Sequence, residues 1–221
     1  ILAYQSTKNG AQSIYVRQTK DGVKWEQPIQ ITNHRLSSSS PQLIEDLHGQ
    51  LQLIYASNET ENWVLYRTQS KNGITWTESQ ILSLPHDNIN QPSLVYSKGE
   101  YILAYQALWS GLYISSSTDG NLWTVPSLVS ETGESPFLTI EENGTYDIAY
   151  EDADQQGWNI HLTRSVDHKT WSPSQQITHF KRARWGRLIK QGDDYLLTFG
   201  AQTEQTNWDI YVSRTQKLNQ W

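Results

Sequence analysis

The sequence predicts an all-β fold, a five-bladed β-propeller of four-stranded antiparallel blades, and three observations carry that prediction. A frame made of an aromatic ring, a Ser or Thr and a tryptophan recurs five times, its tryptophans at 25, 76, 123, 171 and 221. The rings are Tyr15, Tyr66, Tyr113, His161 and Tyr211, and the hydroxyl residues are Thr19, Ser70, Ser117, Ser165 and Thr215. Self-similarity at a period of about 50 residues is the signature of a propeller or solenoid. Each period also contains four short segments with alternating apolar and polar residues, rich in β-branched and aromatic types. No segment sustains a 3.6-residue period, so almost no helix is expected.

Each element follows from its own residues. The first strand of a blade reads P-Q-L-I-E (41–45), P-S-L-V-Y (92–96), P-F-L-T-I (136–140) or G-R-L-I-K (186–190). A glycine turn follows, because Gly supplies the positive φ of a tight hairpin. The second strand is L-A-Y (2–4), L-I-Y (53–55), L-A-Y (103–105), I-A-Y (148–150) or L-T-F (197–199). The third begins at the repeated ring. The fourth is expected to start at the tryptophan and to run through 27–32, 78–83, 126–130 or 173–178. The blade repeats are therefore 1–32, 41–83, 92–130, 136–178 and 186–221, in one domain. The frame is offset at both ends. The first copy opens at its second strand and the last stops where its fourth would begin, so either one ring closes imperfectly or blades belong to a longer chain. Closure within one chain, and hence a monomer, is preferred to a dimer that shares open edges.

Composition narrows the function classes. Of 221 residues, 17 are basic and 23 acidic, for a net charge of −6. No basic stripe offers itself to phosphates, so nucleic acid is not an expected partner. No apolar run reaches membrane-spanning length, and no membrane partner is expected. There is no cysteine, hence no disulfide and no thiolate metal site. The chain carries no visible signal peptide and no initiator Met, and reads as a mature or excised segment. Ten Trp and twelve Tyr against three Phe suit half-exposed strands and sugar-facing surfaces alike.

The turn between the third strand and the tryptophan has a structural explanation. In S-T-D-G-N-L-W (117–123) the Asp119 carboxylate can accept N–H groups of its own hairpin. Asp21 and Asp167 repeat the device, Asn72 keeps the acceptor without the charge, and Lys217 loses it. A calcium site would need several oxygens converging on one point, and one acid per turn does not supply them. No metal or other cofactor is expected.

With these residues in view, the chain resembles the Asp-box (BNR) repeats of sialidase-like β-propellers. Its tryptophan falls four residues after the Asp rather than the usual five, as in Asp119 to Trp123. That shorter turn resembles turns of five-bladed furanosidase-like glycoside hydrolases. The resemblance implies a secreted or extracytoplasmic protein. It does not transfer a catalytic set: no R-I-P motif stands in the chain, and the residues before the first-strand prolines are Ser40, Gln91 and Ser135 rather than acids.

Candidate site residues come from loops that differ between copies, chiefly 33–40, 84–91, 131–135 and 179–185. Arg35, His86, Asp87 and Arg184 are expected to bind a ligand there, with Trp109 and Trp185 as off-pattern indoles able to stack on a sugar. Glu134 with the acidic run Glu151, Asp152 and Asp154 could form a carboxylate pair for glycoside hydrolysis, although a solvated acidic loop is the simpler reading. Trp63, Trp158 and Trp208 recur at one place and are read as packing. The expectation is a non-catalytic binding or sensory module for glycans or another polar extracellular ligand. The alternatives are a scaffold or excised repeat fragment without a small ligand, and a sialidase- or furanosidase-like glycoside hydrolase.

Overall fold

The computed structural model describes the chain apart from residues 34, 155, 156, 204–206 and 218–221, and apart from the side chains at 8, 9 and 154. Trp221 and the Asp154 side chain, both singled out above, and His34 of the 33–40 loop lie outside the described residues. Among the described residues no helix is long and apolar enough to cross a membrane.

Five antiparallel sheets follow one another along the chain, as a five-bladed β-propeller requires. The first has three strands, β1 (Leu2–Asn9), β2 (Ala11–Arg17) and β3 (Ile29–Gln30). The second has β4 (Ser38–Glu45), β5 (Leu51–Thr60), β6 (Asn62–Ser70) and β7 (Gln80–Ile81). The third has β8 (Ile89–Ser97), β9 (Glu100–Ala107), β10 (Gly111–Ser117) and β11 (Ser127–Ser130). The fourth has β12 (Glu134–Ile140), β13 (Tyr146–Asp154), β14 (Gly157–Ser165) and β15 (Gln175–Gln176). The fifth has three strands, β16 (Arg182–Gln191), β17 (Asp194–Gln202) and β18 (Trp208–Thr215).

The chain divides into two compact units, residues 1–108 with 115–126, and residues 109–114 with 127–221. In the first unit Ile14, Val16, Leu53, Tyr55 and Tyr66 are buried together, with Leu43 and Trp76 packed against them. In the second, Ile160, Leu162, Leu188, Leu197 and Phe199 form the corresponding cluster with Phe180 and Tyr211. Each fully buried aliphatic side chain contributes about 1.5–3 kcal/mol through removal of its surface from water.

The repeated ring of the third strand has a specific partner. Tyr4 pairs across the ladder with Tyr15, Tyr55 with Tyr66, Tyr150 with His161 and Phe199 with Tyr211. The rings stack with centroids 5.8 Å apart for Tyr4 and Tyr15 and 5.6 Å apart for Tyr55 and Tyr66. The ring frame and the aromatic end of L-A-Y are thus two halves of one cross-strand pair, the unit by which sheets are stabilised.

The Asp turns form as the residues dictate. Asp119 Oδ1 accepts the N–H of Asn121 at 2.8 Å and of Leu122 at 2.9 Å, and the Ser117 hydroxyl at 3.0 Å. Asp21 and Asp167 repeat this, and Asn72 does the same through its amide oxygen. These backbone donors hold the Asp167 carboxyl down at about 2.

Two features differ from the sequence expectation. The fourth strands are shorter, two residues in β3, β7 and β15 and four in β11. The chain follows the predicted path but bonds to the third strand only intermittently, as at Glu26 N–H to Gln18 O and Ile31 N–H to Ile14 O. Pro28, Pro126 and Pro173 bring no N–H to that edge. The first strands begin earlier and are bulged. Their registers shift between Ser39 and Gln42, Asn90 and Ser93, Glu134 and Phe137, and Arg184 and Arg187. At every bulge one residue takes a left-handed backbone: Ser40 (φ 54), Gln91 (φ 48), Ser135 (φ 50) and Trp185 (φ 60). Side chains of a preceding second strand hold two of these strained peptides. Gln5 Oε1 accepts the Ser40 N–H and Glu151 Oε1 accepts the Trp185 N–H, both at 2.8 Å.

Candidate active site

The bulges of the fourth and fifth sheets bring acids, a guanidinium and indoles together within the second unit. Glu134 and Arg184 hold equivalent places, each one residue before the left-handed position of its strand. Glu134 lies opposite Glu151 in the β12–β13 ladder, so the two carboxylates share one face of the sheet. Arg184 joins them. Its Nε donates to Glu151 Oε2 and its Nη2 lies 3.3 Å from Glu134 Oε2.

The two acids have unlike surroundings. The Glu151 side chain is fully buried, and its second oxygen takes the Trp185 N–H. Both its oxygens are engaged, which is how a buried charge is kept. The Glu134 side chain is 32% exposed and, among the described residues, meets one arm of the arginine. Glu151 fixes Arg184, whereas Glu134 is open to a ligand. The Arg184 guanidinium also lies over the Trp158 ring, 4.9 Å from its centroid. Next to it the rings of Trp185 and Trp208 sit 4.8 Å apart at a tilt of 45°.

The sequence candidates distribute unevenly. Arg184 and Trp185 sit in this cluster. Trp109, in the turn between β9 and β10, is 91% exposed. In the first unit His86 is half-buried, with Nδ1 2.9 Å from the Tyr105 hydroxyl, and burial holds its imidazole below the ordinary histidine range. Asp87 and Arg35 are exposed on loops. The reading of Glu134 and Glu151 as a solvated acidic loop is corrected, because Glu151 is a fully buried strand residue. Asp152, next along β13, accepts the Thr132 hydroxyl at 3.0 Å. Trp158 and Trp208 repeat at a packing position, but here they carry Arg184 and Trp185. The signal that could have found this cluster was the off-pattern pair of Trp185 and Gly200, where other copies have smaller or polar first-strand residues and Gln5, Ala56, Gln106 and Glu151.

No protein-family profile matches the chain, and no curated protein matches it. Solved structures do match in fold. An exo-1,5-α-L-arabinanase from a bovine ruminal metagenomic library superposes with a TM-score of 0.66 at 12% identity, over 96% of this chain and 91% of its own. A protein of unknown function from Dyadobacter fermentans superposes with a TM-score of 0.76 at 13% identity, over 95% of this chain and 66% of its own. An α-L-arabinofuranosidase from Podospora anserina, solved with cellotriose, gives a TM-score of 0.63 at 10% identity, over 98% and 90%. At such identities the likeness is one of fold. It lies on the furanosidase side of the sequence resemblance, and nothing in it supports the Asp-box sialidase side. It also overturns the expectation of a non-catalytic binding or sensory module. Arabinanases and arabinofuranosidases stand among these neighbours, which moves the reading to the glycoside hydrolase alternative.

Proposed function

We propose that the chain is a glycoside hydrolase of the arabinanase and arabinofuranosidase kind, acting on a neutral oligosaccharide or polysaccharide. The observation that carries the reading is the pairing of Glu134 and Glu151 across one ladder, bridged by Arg184 and bordered by indoles. Glycoside hydrolysis runs on carboxyl groups beside the scissile bond. Glu134 is the reacting group: its exposed carboxylate can take a proton from the water that attacks the anomeric carbon, while the glycosidic C–O bond breaks and the departing oxygen takes a proton from solvent. Glu151 is a positioning residue: it holds Arg184, and Arg184 holds Glu134. The fold likeness to arabinan-degrading enzymes supports the same class of substrate. An extracytoplasmic location belongs to this reading, since such polysaccharides lie outside the cell.

The test is turnover of linear α-1,5-arabinan, arabino-oligosaccharides and a chromogenic α-L-arabinofuranoside, followed as released reducing sugar or dye. Release by the wild type is expected, with kcat at least about 100-fold lower in Glu134→Gln. Release no greater than from heat-denatured protein would overturn the reading.

A further inference from the structure

We propose that Trp185 and Trp208, lying together over the backbone of Gly200, form an aromatic subsite that stacks one ring of a neutral sugar beside Glu134. This rests on the hydrolase reading for its direction but not for its geometry. Both indoles reach solvent, Trp185 at 54% and Trp208 at 38% exposure, with their rings 4.8 Å apart. Burial of indole surface is favourable, so two adjacent exposed rings leave that gain for a ligand.

The backbone is arranged to hold Trp185 there. A bulky residue in the left-handed region is strained, and such strain persists where the surroundings over-determine it. Glu151 Oε1 fixes the Trp185 N–H at 2.8 Å. Gly200 makes room beneath the ring. A Cβ at that position would come within 2.7 Å of Trp185 Cε3 and 2.9 Å of its Cζ3, and 3.5 Å from Trp208 Cε3. The equivalent second-strand places hold Gln5, Ala56, Gln106 and Glu151, all with a Cβ. The first-strand places equivalent to Trp185 hold Ser40, Gln91 and Ser135. Only the last sheet combines an indole above with a glycine below.

The rim chooses the occupant. A sugar presents a patch of C–H groups to an aromatic face and hydroxyls at its edge. Here Arg184 stands opposite Gly200 in the ladder and carries Glu134 with it. The guanidinium is already shared between two carboxylates, so the three groups together carry a net negative charge. A neutral sugar fits that rim, whereas a sialic or uronic acid would be repelled by it.

Calorimetric titration separates this subsite from the hydrolase reading. The probes are α-1,5-arabinotriose, xylotriose, cellotriose and, as the acidic sugar, sialyllactose. Glu134→Gln is used as the parent for the neutral sugars to prevent turnover, and the wild type for sialyllactose, because the substitution removes one of the rim's charges. At least one neutral trisaccharide should bind, sialyllactose should not, and Trp185→Ala should weaken binding about 10-fold, as loss of roughly 1.4 kcal/mol implies. Gly200→Ala keeps both indoles but displaces the upper one, and it should weaken binding in the same direction. Melting temperatures of both variants check that the fold is intact. The proposal is overturned if none of the neutral sugars binds, if sialyllactose binds more tightly, or if Trp185→Ala binds as its parent does. Trp185-dependent binding together with no turnover by the wild type would sink the hydrolase reading and leave the subsite standing.

Discussion

Gln52 and Asp147 occupy the same place in two different blades, and each accepts a hydrogen bond from an arginine Nε, Arg67 at 2.8 Å and Arg164 at 2.7 Å. Their second polar atoms differ. Gln52 Nε2 is a donor and reaches the Tyr101 hydroxyl at 3.1 Å. Asp147 Oδ2 is buried, faces Glu141 and has no donor among the described residues. Glu141 already takes Arg164, Lys190 at 2.9 Å and the Tyr195 hydroxyl at 2.7 Å. A proton on Asp147 would make Oδ2 a donor, as the amide nitrogen of Gln52 is.

A pH dependence of stability follows. Burial, with the nearby Glu141 charge, outweighs Arg164 and pushes the Asp147 carboxyl up to about 7. The folded state therefore holds a proton that the unfolded chain releases near 3.8. This contribution is fully present below about pH 4 and is lost as pH rises through 7. Asp147→Asn keeps an acceptor for Arg164 and supplies a permanent donor toward Glu141. Urea unfolding at pH 5 and pH 8 should show the variant gaining on the wild type at the higher pH. An equal difference at both values would show that Asp147 is charged throughout.

The Tyr101 hydroxyl links the corresponding network in the first unit, accepting from Gln52 and donating to Asp46 Oδ2 at 2.8 Å. Tyr101→Phe leaves both partners short of a bond and should cost about 1–2 kcal/mol in chemical denaturation. A cost within error of zero would mean that water replaces the hydroxyl.

The Asp turn carries its own control. Asn72 accepts the N–H groups of Ile74 and Thr75, both at 2.9 Å, with a neutral oxygen. Asp119→Asn should therefore leave the melting temperature near the wild-type value, and Asp119→Ala should lower it by several degrees. If both variants melt alike, the acceptor is not what holds the hairpin.

Glu151→Ala removes the partner of Arg184 Nε and of the Trp185 N–H at once. A loss of roughly 2–4 kcal/mol is expected, because a half-buried guanidinium keeps only its contacts to Glu134 and Trp158 and a strained peptide N–H loses its acceptor. Thermal melts read this directly, and Glu151→Gln, which keeps one acceptor, should fall between the two.

The sequence by itself determined the blades. Their signals are local: ring facing ring across a hairpin, an acid two residues after a hydroxyl, glycine where the turn needs positive φ. Such contacts close over few residues, so a repeat can write them within its own stretch of sequence, as the pairs Tyr55–Tyr66 and Ser117–Asp119 show. The tertiary structure alone decided the bulges and what they join. Nothing near Glu151 in the sequence says that it is buried, since its partners stand 33 and 34 residues away in the next sheet. Arg184 and Glu134 are 50 residues apart and meet only because successive first strands are bulged one residue later in the same way. A buried charge answers to whichever strand packs beside it, and that neighbour is chosen by the stacking of sheets rather than by the residues on either side in the chain.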